Sequence, residues 1–272
     1  IDLGALADQS QEDTSRRIIM IIGEGGVFIL ILMAGFWKIQ QSIAKEIQLS
    51  QRQNNFMLSV THELKTPLTS IQLALQTLKK RNLKAEDQAD LIAKALGANQ
   101  RLSSLIDNII NASRLESNDF TPRLEIFPLK TFLQNKATEL KTTHKQASII
   151  LNCAVEIMHA DAYMLETIFN NLLENAIKYS GDNPKLEILV KQNGKFTEII
   201  ISDQGTGITA EEKQQIFKQF YRVGSEISRS QKGSGLGLFI TSEFIQLHKG
   251  RIKCENNKPA GTKFIMELPK GE

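Results

Sequence analysis

His62 is followed directly by Glu63, and Thr66 stands four residues further on. A neutral imidazole offers a nitrogen nucleophile near neutral pH, and an adjacent carboxylate can hold or take its second proton. In an α-helix each residue turns about 100°. Met57, Val60, Leu64, Leu68, Ile71, Leu75 and Leu78 recur at three- and four-residue steps, which defines one apolar face. His62 lies about 200° from Val60 and Leu64 and shares the outward side with Thr66. Taken alone, such a histidine reads as solvated surface. Three downstream clusters change its weight.

The first is Asn171, Asn175 and Lys178, at i, i+4 and i+7 on one line of a helix whose buried side carries Leu172, Leu173, Ala176 and Ile177. Two amide oxygens and an ammonium in line could hold a hydrated divalent ion and a polyphosphate. On this cluster alone, a polar helix face is the plainer reading. The second is Asp203-Gln204-Gly205-Thr206-Gly207-Ile208, directly after a strand-like run. Its glycines admit a flat ligand close to the backbone, and an ionised Asp can accept from an exocyclic amine such as that of adenine. By itself this segment is often only a turn. The third is Gly233-Ser234-Gly235-Leu236-Gly237-Leu238, which opens a helix and presents backbone N–H groups to phosphates. Its spacing is neither a P-loop nor a dinucleotide fingerprint. Residues 217–232, between the second and third clusters, are polar and irregular and read as a lid.

The chain has 272 residues and a net charge of +3. With no basic stripe interleaved with aromatics, no nucleic-acid partner is expected. Cys153 and Cys254 are far apart and fit neither a metal motif nor a disulfide framework, which points to a reducing compartment. The first residue is Ile, so an upstream region is expected, and residues 1–15 read as an extracytoplasmic remnant. Ile18 to Trp37 is a 20-residue apolar run with one charge, Glu24, bounded by Arg16-Arg17 and Trp37-Lys38. It matches the roughly 30 Å hydrocarbon core of a bilayer. Residues 16–38 are therefore read as a transmembrane helix. Glu24 either faces a partner helix or is merely tolerated.

Residues 39–51 continue a helical spacing as a linker toward His62, and Pro67 should bend the helix that follows. After a break at 80–84, Leu91, Ala95, Ala98, Leu102, Leu105, Ile109 and Ala112 form a heptad-like seam, widened by Ile92, Leu96, Ile106 and Ile110. One hairpin cannot cover that stripe. Two hairpins can, as a homodimeric four-helix bundle; a hairpin docked on the following domain is the alternative. After Leu115 short strands and helices alternate in blocks, which indicates an α+β sandwich with helices on one face of a mixed sheet.

The five segments occur in a specific order. His62-Glu63-Leu64-Lys65-Thr66-Pro67-Leu68, Asn171 to Tyr179, Asp203-x-Gly205-x-Gly207, Phe217 to Arg222 and Gly233 to Leu238 resemble the H, N, G1, F and G2 boxes of bacterial two-component sensor histidine kinases. The resemblance covers residues 52 to 268. It implies a multi-domain chain: transmembrane helix, dimerisation and phosphoacceptor hairpin (52–118), and a two-layer α+β ATP-binding domain (119–272) of the Bergerat type, shared with gyrase and mismatch-repair ATPases. The implied cofactors are ATP and Mg²⁺. His62 takes the γ-phosphoryl group and passes it to the receiver domain of a separate response regulator. Glu63 assists His62. Thr66 orients a water for dephosphorylating the regulator. Asn175 and Asn171 ligate Mg²⁺, Lys178 contacts phosphate, and Tyr179 and Asp203 contact adenine. Gly205, Gly207, Gly233, Gly235 and Gly237 surround the nucleotide with Ile208, Leu236 and Leu238. The expected location is the bacterial inner membrane, with the catalytic part in the cytoplasm.

Overall fold

A computed structural model describes residues 3–80, 83–117, 120–223 and 233–270. Residues 224–232, most of the expected lid, lie outside the described residues. The chain divides into two compact units, residues 1–54 and 55–272. Helix α1 covers Leu3–Lys80 and contains Pro67. In the first unit it includes a stretch long and apolar enough to cross a membrane, with a mean hydropathy of 1.5. Phe28, Leu30, Phe36 and Trp37 are exposed on its surface.

The second unit begins with the remainder of α1 and with α2 (Ala85–Glu116). Every residue of the expected α2 seam is sheltered, with Ala98 and Ala112 buried. On α1 the sheltered face is Val60, Leu64, Pro67, Ile71, Ala74 and Leu78. Met57, Leu68 and Leu75, expected on that face, are exposed. A single seam between two helices is too narrow to cover so broad a stripe. Ile92, Leu96, Ile106 and Ile110 are left exposed for the same reason.

The sandwich follows as β1 (Glu125–Phe127), α3 (Leu129–Thr143), β2 (Ser148–Cys153), β3 (Met158–Ala160), α4 (Ala162–Tyr179), β4 (Lys185–Asn193), β5 (Phe196–Asp203), α5 (Gly237–Leu247), β6 (Arg251–Asn256) and β7 (Thr262–Pro269). The main sheet has the order β2-β4-β5-β7-β6. Among the described strands only β2 and β4 run parallel. Gly194 at φ 60° turns the β4–β5 hairpin. β1 and β3 form a small antiparallel ribbon of their own. β3, at three residues, is too short to show a period of its own.

Alternation along β4 and the seven-residue repeats of α4 direct Leu186, Ile188, Val190, Leu165, Ile168, Phe169 and Leu172 into one core, closed by Ile240 and Phe244 of α5. The end of α2 joins this core through Ala112. Beside it, buried Asn111 donates from Nδ2 to the Tyr163 hydroxyl at 2.8 Å. Arg114 lies 4.4 Å from the centroid of Phe120, which packs edge-on against Phe244.

Asp161 caps α4 by accepting from the Met164 N–H at 3.0 Å. Its own N–H donates to Nε2 of buried His248 at 3.0 Å, while Nδ1–H of His248 donates to the Phe244 carbonyl at 2.7 Å. Both ring nitrogens are thereby committed. His248→Phe fills the space but orphans the Asp161 N–H, and should cost about 1–3 kcal/mol. The check is the shift in the urea midpoint at constant m-value.

Candidate active site

The three chemistry-bearing clusters converge at one end of α4. Asn171 is buried near the middle of α4, and its Nδ2 donates to the Gly237 carbonyl at 3.1 Å, tying α4 to the first residue of α5. Its Oδ1 faces the Gly237 α-carbon. One turn on, Asn175 is half-buried and makes no side-chain hydrogen bond among the described residues. One turn further, the Lys178 ammonium lies against the Gly233 α-carbon, where an added Cβ would come within 2.9 Å. The helix line read from sequence thus meets the third glycine cluster at two points. Burial pushes the Lys178 pKa down, partly offset by Glu63.

The second cluster closes the adenine-type end. Asp203 ends β5, is 4 % exposed, and accepts the Gly205 N–H at 2.8 Å and the Thr262 N–H at 3.1 Å, both on Oδ1. Oδ2 is left to accept from a ligand. Burial pushes its pKa up, and the two N–H bonds oppose that shift. Gly205 packs on the Tyr179 carbonyl, 2.4 Å from where a Cβ would sit. Tyr179 itself is exposed, with Lys178 Nζ 5.0 Å from its ring centroid. Gly207 has φ 74°, Ile208 is half-buried beside it, Leu236 is fully buried, and Leu238 is partly buried in the first turn of α5.

Sequence reasoning missed the buttress behind Asp203. Asn257 Nδ2 donates to the Asp203 carbonyl at 2.7 Å. Gly261, at φ 110°, packs so closely that a Cβ would lie 2.1 Å from that carbonyl oxygen. A glycine just before a strand was the available signal. Gly261→Ala combines a backbone penalty with displacement of Asp203. It should destabilise by at least about 1–3 kcal/mol and weaken nucleotide binding, read by thermal melting and nucleotide titration.

His62 is exposed on α1, and the Thr66 hydroxyl donates to the His62 carbonyl at 3.0 Å. Glu63 does not hydrogen-bond the imidazole. Adjacent helical side chains diverge by about 100°, and Glu63 turns instead toward the sandwich. There the charges of Lys178 and Arg222 and the Gly233 N–H act on its carboxyl. Burial pushes its pKa up, and those groups pull it down. One turn earlier, Arg222 Nη1 donates to Ser59 Oγ at 3.0 Å, and Phe56 stacks on Phe220 at 4.2 Å. Gln219 Nε2 donates to Glu116 of α2 at 2.6 Å. The residues that start the lid therefore grip the turn before His62.

Among the described residues, no three His, Cys, Asp or Glu groups gather as a metal cage. The uncommitted Asn175 oxygen, with Asn171 Oδ1 one turn below, fits Mg²⁺, which takes few protein oxygens and keeps waters and phosphate oxygens as its other ligands. The two cysteines are free, and burial pushes the Cys254 thiol up to about 11, so it is inert near neutral pH.

This fold and this glycine-lined, Asp-anchored cleft define an ATPase domain of the histidine kinase-, DNA gyrase B- and HSP90-like class, and residues 160–272 match that family. Residues 52–118 match the His Kinase A (phospho-acceptor) domain. The chain belongs to the sensor histidine kinases of two-component systems. It is 27% identical over 256 residues to the sensor protein SrrB of Staphylococcus aureus strain N315, an alignment covering 92% of this chain and 42% of SrrB. The chain thus spans less than half the length of the curated relatives it matches. Among solved structures it is similar to the Acinetobacter baumannii histidine kinase AdeS, with TM-score 0.56, 25% identity, and coverage of 78% of this chain and 98% of that one. It also shares the fold of histidine kinase ThkA, solved in complex with response regulator protein TrrA, with TM-score 0.53, 23% identity, and coverage of 79% and 61%.

Proposed function

We propose that this chain transfers the γ-phosphoryl group of ATP to His62 and then to an aspartate on the receiver domain of a response regulator. The observation that carries this reading is the packing of the turn before His62 against the start of the lid beside the cleft, through Phe56 on Phe220 and Ser59 on Arg222. A ring nitrogen of neutral His62 attacks phosphorus, the bond from phosphorus to the bridging oxygen breaks, and ADP leaves. Glu63 is the adjacent carboxylate able to hold or take the second imidazole proton. Lys178 and Arg222 face the charge on the phosphates. Asp203 orients adenine, with Tyr179, Gly205, Gly207 and Ile208 on that side, and Gly233, Gly235, Leu236, Gly237 and Leu238 supply the opposite wall. Asn175 and Asn171 hold Mg²⁺, which screens phosphate charge when bound.

The exposed rows Met57, Leu68, Leu75 and Ile92, Leu96, Ile106, Ile110 support a homodimer in which a second hairpin covers them. The apolar stretch of α1 supports an inner-membrane protein with its catalytic part in the cytoplasm. The domain bounds that fit this reading are the transmembrane helix at 16–38, the linker at 39–51, the phosphoacceptor hairpin at 52–118 and the ATP-binding domain at 119–272.

Incubation with γ-labelled ATP tests the reading. Label that accumulates with Mg²⁺, disappears in acid and fails to form in EDTA is expected. Acid-stable label, or labelling indifferent to EDTA, contradicts it. A second activity, dephosphorylation of the regulator, is favoured by the exposed Thr66 one turn from His62. Thr66→Ala should lengthen the lifetime of the phosphorylated regulator several-fold in the presence of this chain. An unchanged lifetime removes Thr66 from that role.

A further inference from the structure

Asp203 is held at two levels. Its Oδ1 accepts the N–H groups of Gly205 and Thr262 at 2.8 and 3.1 Å. Its backbone carbonyl accepts from Nδ2 of Asn257 at 2.7 Å. Asn257 is half-buried in the loop between β6 and β7, and its other polar groups serve that loop. Its Oδ1 accepts the Lys258 N–H at 3.0 Å, and its own N–H donates to the Gly261 carbonyl at 2.9 Å. The loop is thereby closed on itself, and the Asn257 amide nitrogen is what it extends to the end of β5. The bond from the Gly205 N–H to Oδ1 closes an Asx turn. The shape of that turn depends on how the peptide after Asp203 is rotated. The carbonyl that Asn257 holds belongs to that peptide. Holding it therefore fixes the direction of Oδ2, the oxygen left for the base.

We propose that Asn257 is a positioning residue that sets the choice of adenine over guanine by holding the Asp203 carbonyl. This rests on the ATP-dependent reading above. Asn257 acts through Asp203, because its amide nitrogen is spent on that carbonyl. A carboxylate fixed in one orientation accepts from the exocyclic amine of adenine and opposes the carbonyl of guanine, acceptor to acceptor. A carboxylate free to tilt gains less from the first base and is penalised less by the second. Loosening the peptide thus narrows the difference between the two. The sheet is a separate matter: the β5–β7 and β6–β7 ladders end at Ser202 and Asn256 and do not include Asn257.

The test is competition of ATP and of GTP, with Mg²⁺, against a fluorescent ATP analogue on the detergent-solubilised full chain, with thermal melting to establish folding. Asn257→Asp keeps the shape and the acceptor toward Lys258, and sets an oxygen against the Asp203 carbonyl in place of the donor. The ratio of ATP to GTP affinity should fall roughly three- to tenfold, mostly through weaker ATP binding. Asn257→Ala adds no charge and should lower the ratio in the same direction; it decides the matter if the Asp variant does not fold. Lys258→Ala changes an exposed side chain of the same loop and should leave the ratio within about twofold. An unchanged ratio in the folded Asn257 variants, or equal losses of ATP and GTP affinity, overturns the positioning role. If the unmodified chain binds neither nucleotide, or prefers neither, the ATP reading itself fails, which is a distinguishable result.

Discussion

Asp203→Asn should lower ATP affinity by on the order of several hundred-fold and reduce the preference for ATP over GTP. The direction follows from which oxygen is already committed. Oδ1 of Asp203 accepts the N–H groups of Gly205 and Thr262. In the Asn variant the amide oxygen must keep those two bonds, so the NH₂ group is forced into the position of Oδ2. There it meets the exocyclic amine of adenine donor to donor. A charge-assisted hydrogen bond is lost, at about 1.5–3 kcal/mol, and a desolvated donor is left unmade, at about 1–3 kcal/mol. The same NH₂ group suits the carbonyl of guanine, hence the change in preference. Nucleotide competition against a fluorescent ATP analogue reads both effects. A loss shared equally by ATP and GTP would show that Asn had disturbed the cleft and not its base recognition. Because burial pushes the Asp203 pKa above its ordinary 3.8, acidification should weaken ATP binding sooner than it would for an exposed carboxylate. The ionised form is the acceptor, so affinity is full well above the raised pKa and falls as pH drops through it.

His62→Gln should abolish phosphoryl transfer, with a loss of at least about 10³-fold, while ATP affinity stays within about twofold. The residue is exposed on α1 and, among the described residues, makes no side-chain bond that holds the fold. A glutamine amide has no basic nitrogen lone pair, so it cannot attack phosphorus. Separating the two readouts matters, since a variant that lost ATP binding as well would place His62 inside the nucleotide site and not opposite it.

The elements of the sandwich were legible where their periods are strong: α4 combines a cap with an apolar repeat, α3 shows the repeat alone, and β4 alternates along its first six residues. Asp161 as the cap of α4 follows from a short polar side chain ahead of an apolar repeat. Periodicity also assigned His62 to the polar side of its helix. It could not decide which apolar residues face α2, since Met57, Leu68 and Leu75 fit the repeat as well as Val60 and Ala74 do. Glu63 was expected to serve the imidazole, and its partial burial within reach of the Lys178 and Arg222 charges depends on a sandwich whose approach no local pattern encodes. The grip of Phe220 and Arg222 on Phe56 and Ser59 joins residues more than 160 positions apart. Asn257 and Gly261 were missed because their work is to hold the backbone of Asp203, and nothing in their own neighbourhood announces a ligand.

The central claim is that His62 is the phosphoryl acceptor, served by a cleft built from α4, the end of β5 and the glycine run before α5. The most direct measurement is to incubate the full chain with γ-labelled ATP and Mg²⁺, digest it without acid, and locate the label by mass spectrometry. A single base-stable, acid-labile phosphate on His62, absent in His62→Gln and in Asp203→Asn at sub-saturating ATP, is the predicted result. Phosphate on a serine, threonine or another histidine, or persistence of the label in His62→Gln, would contradict it.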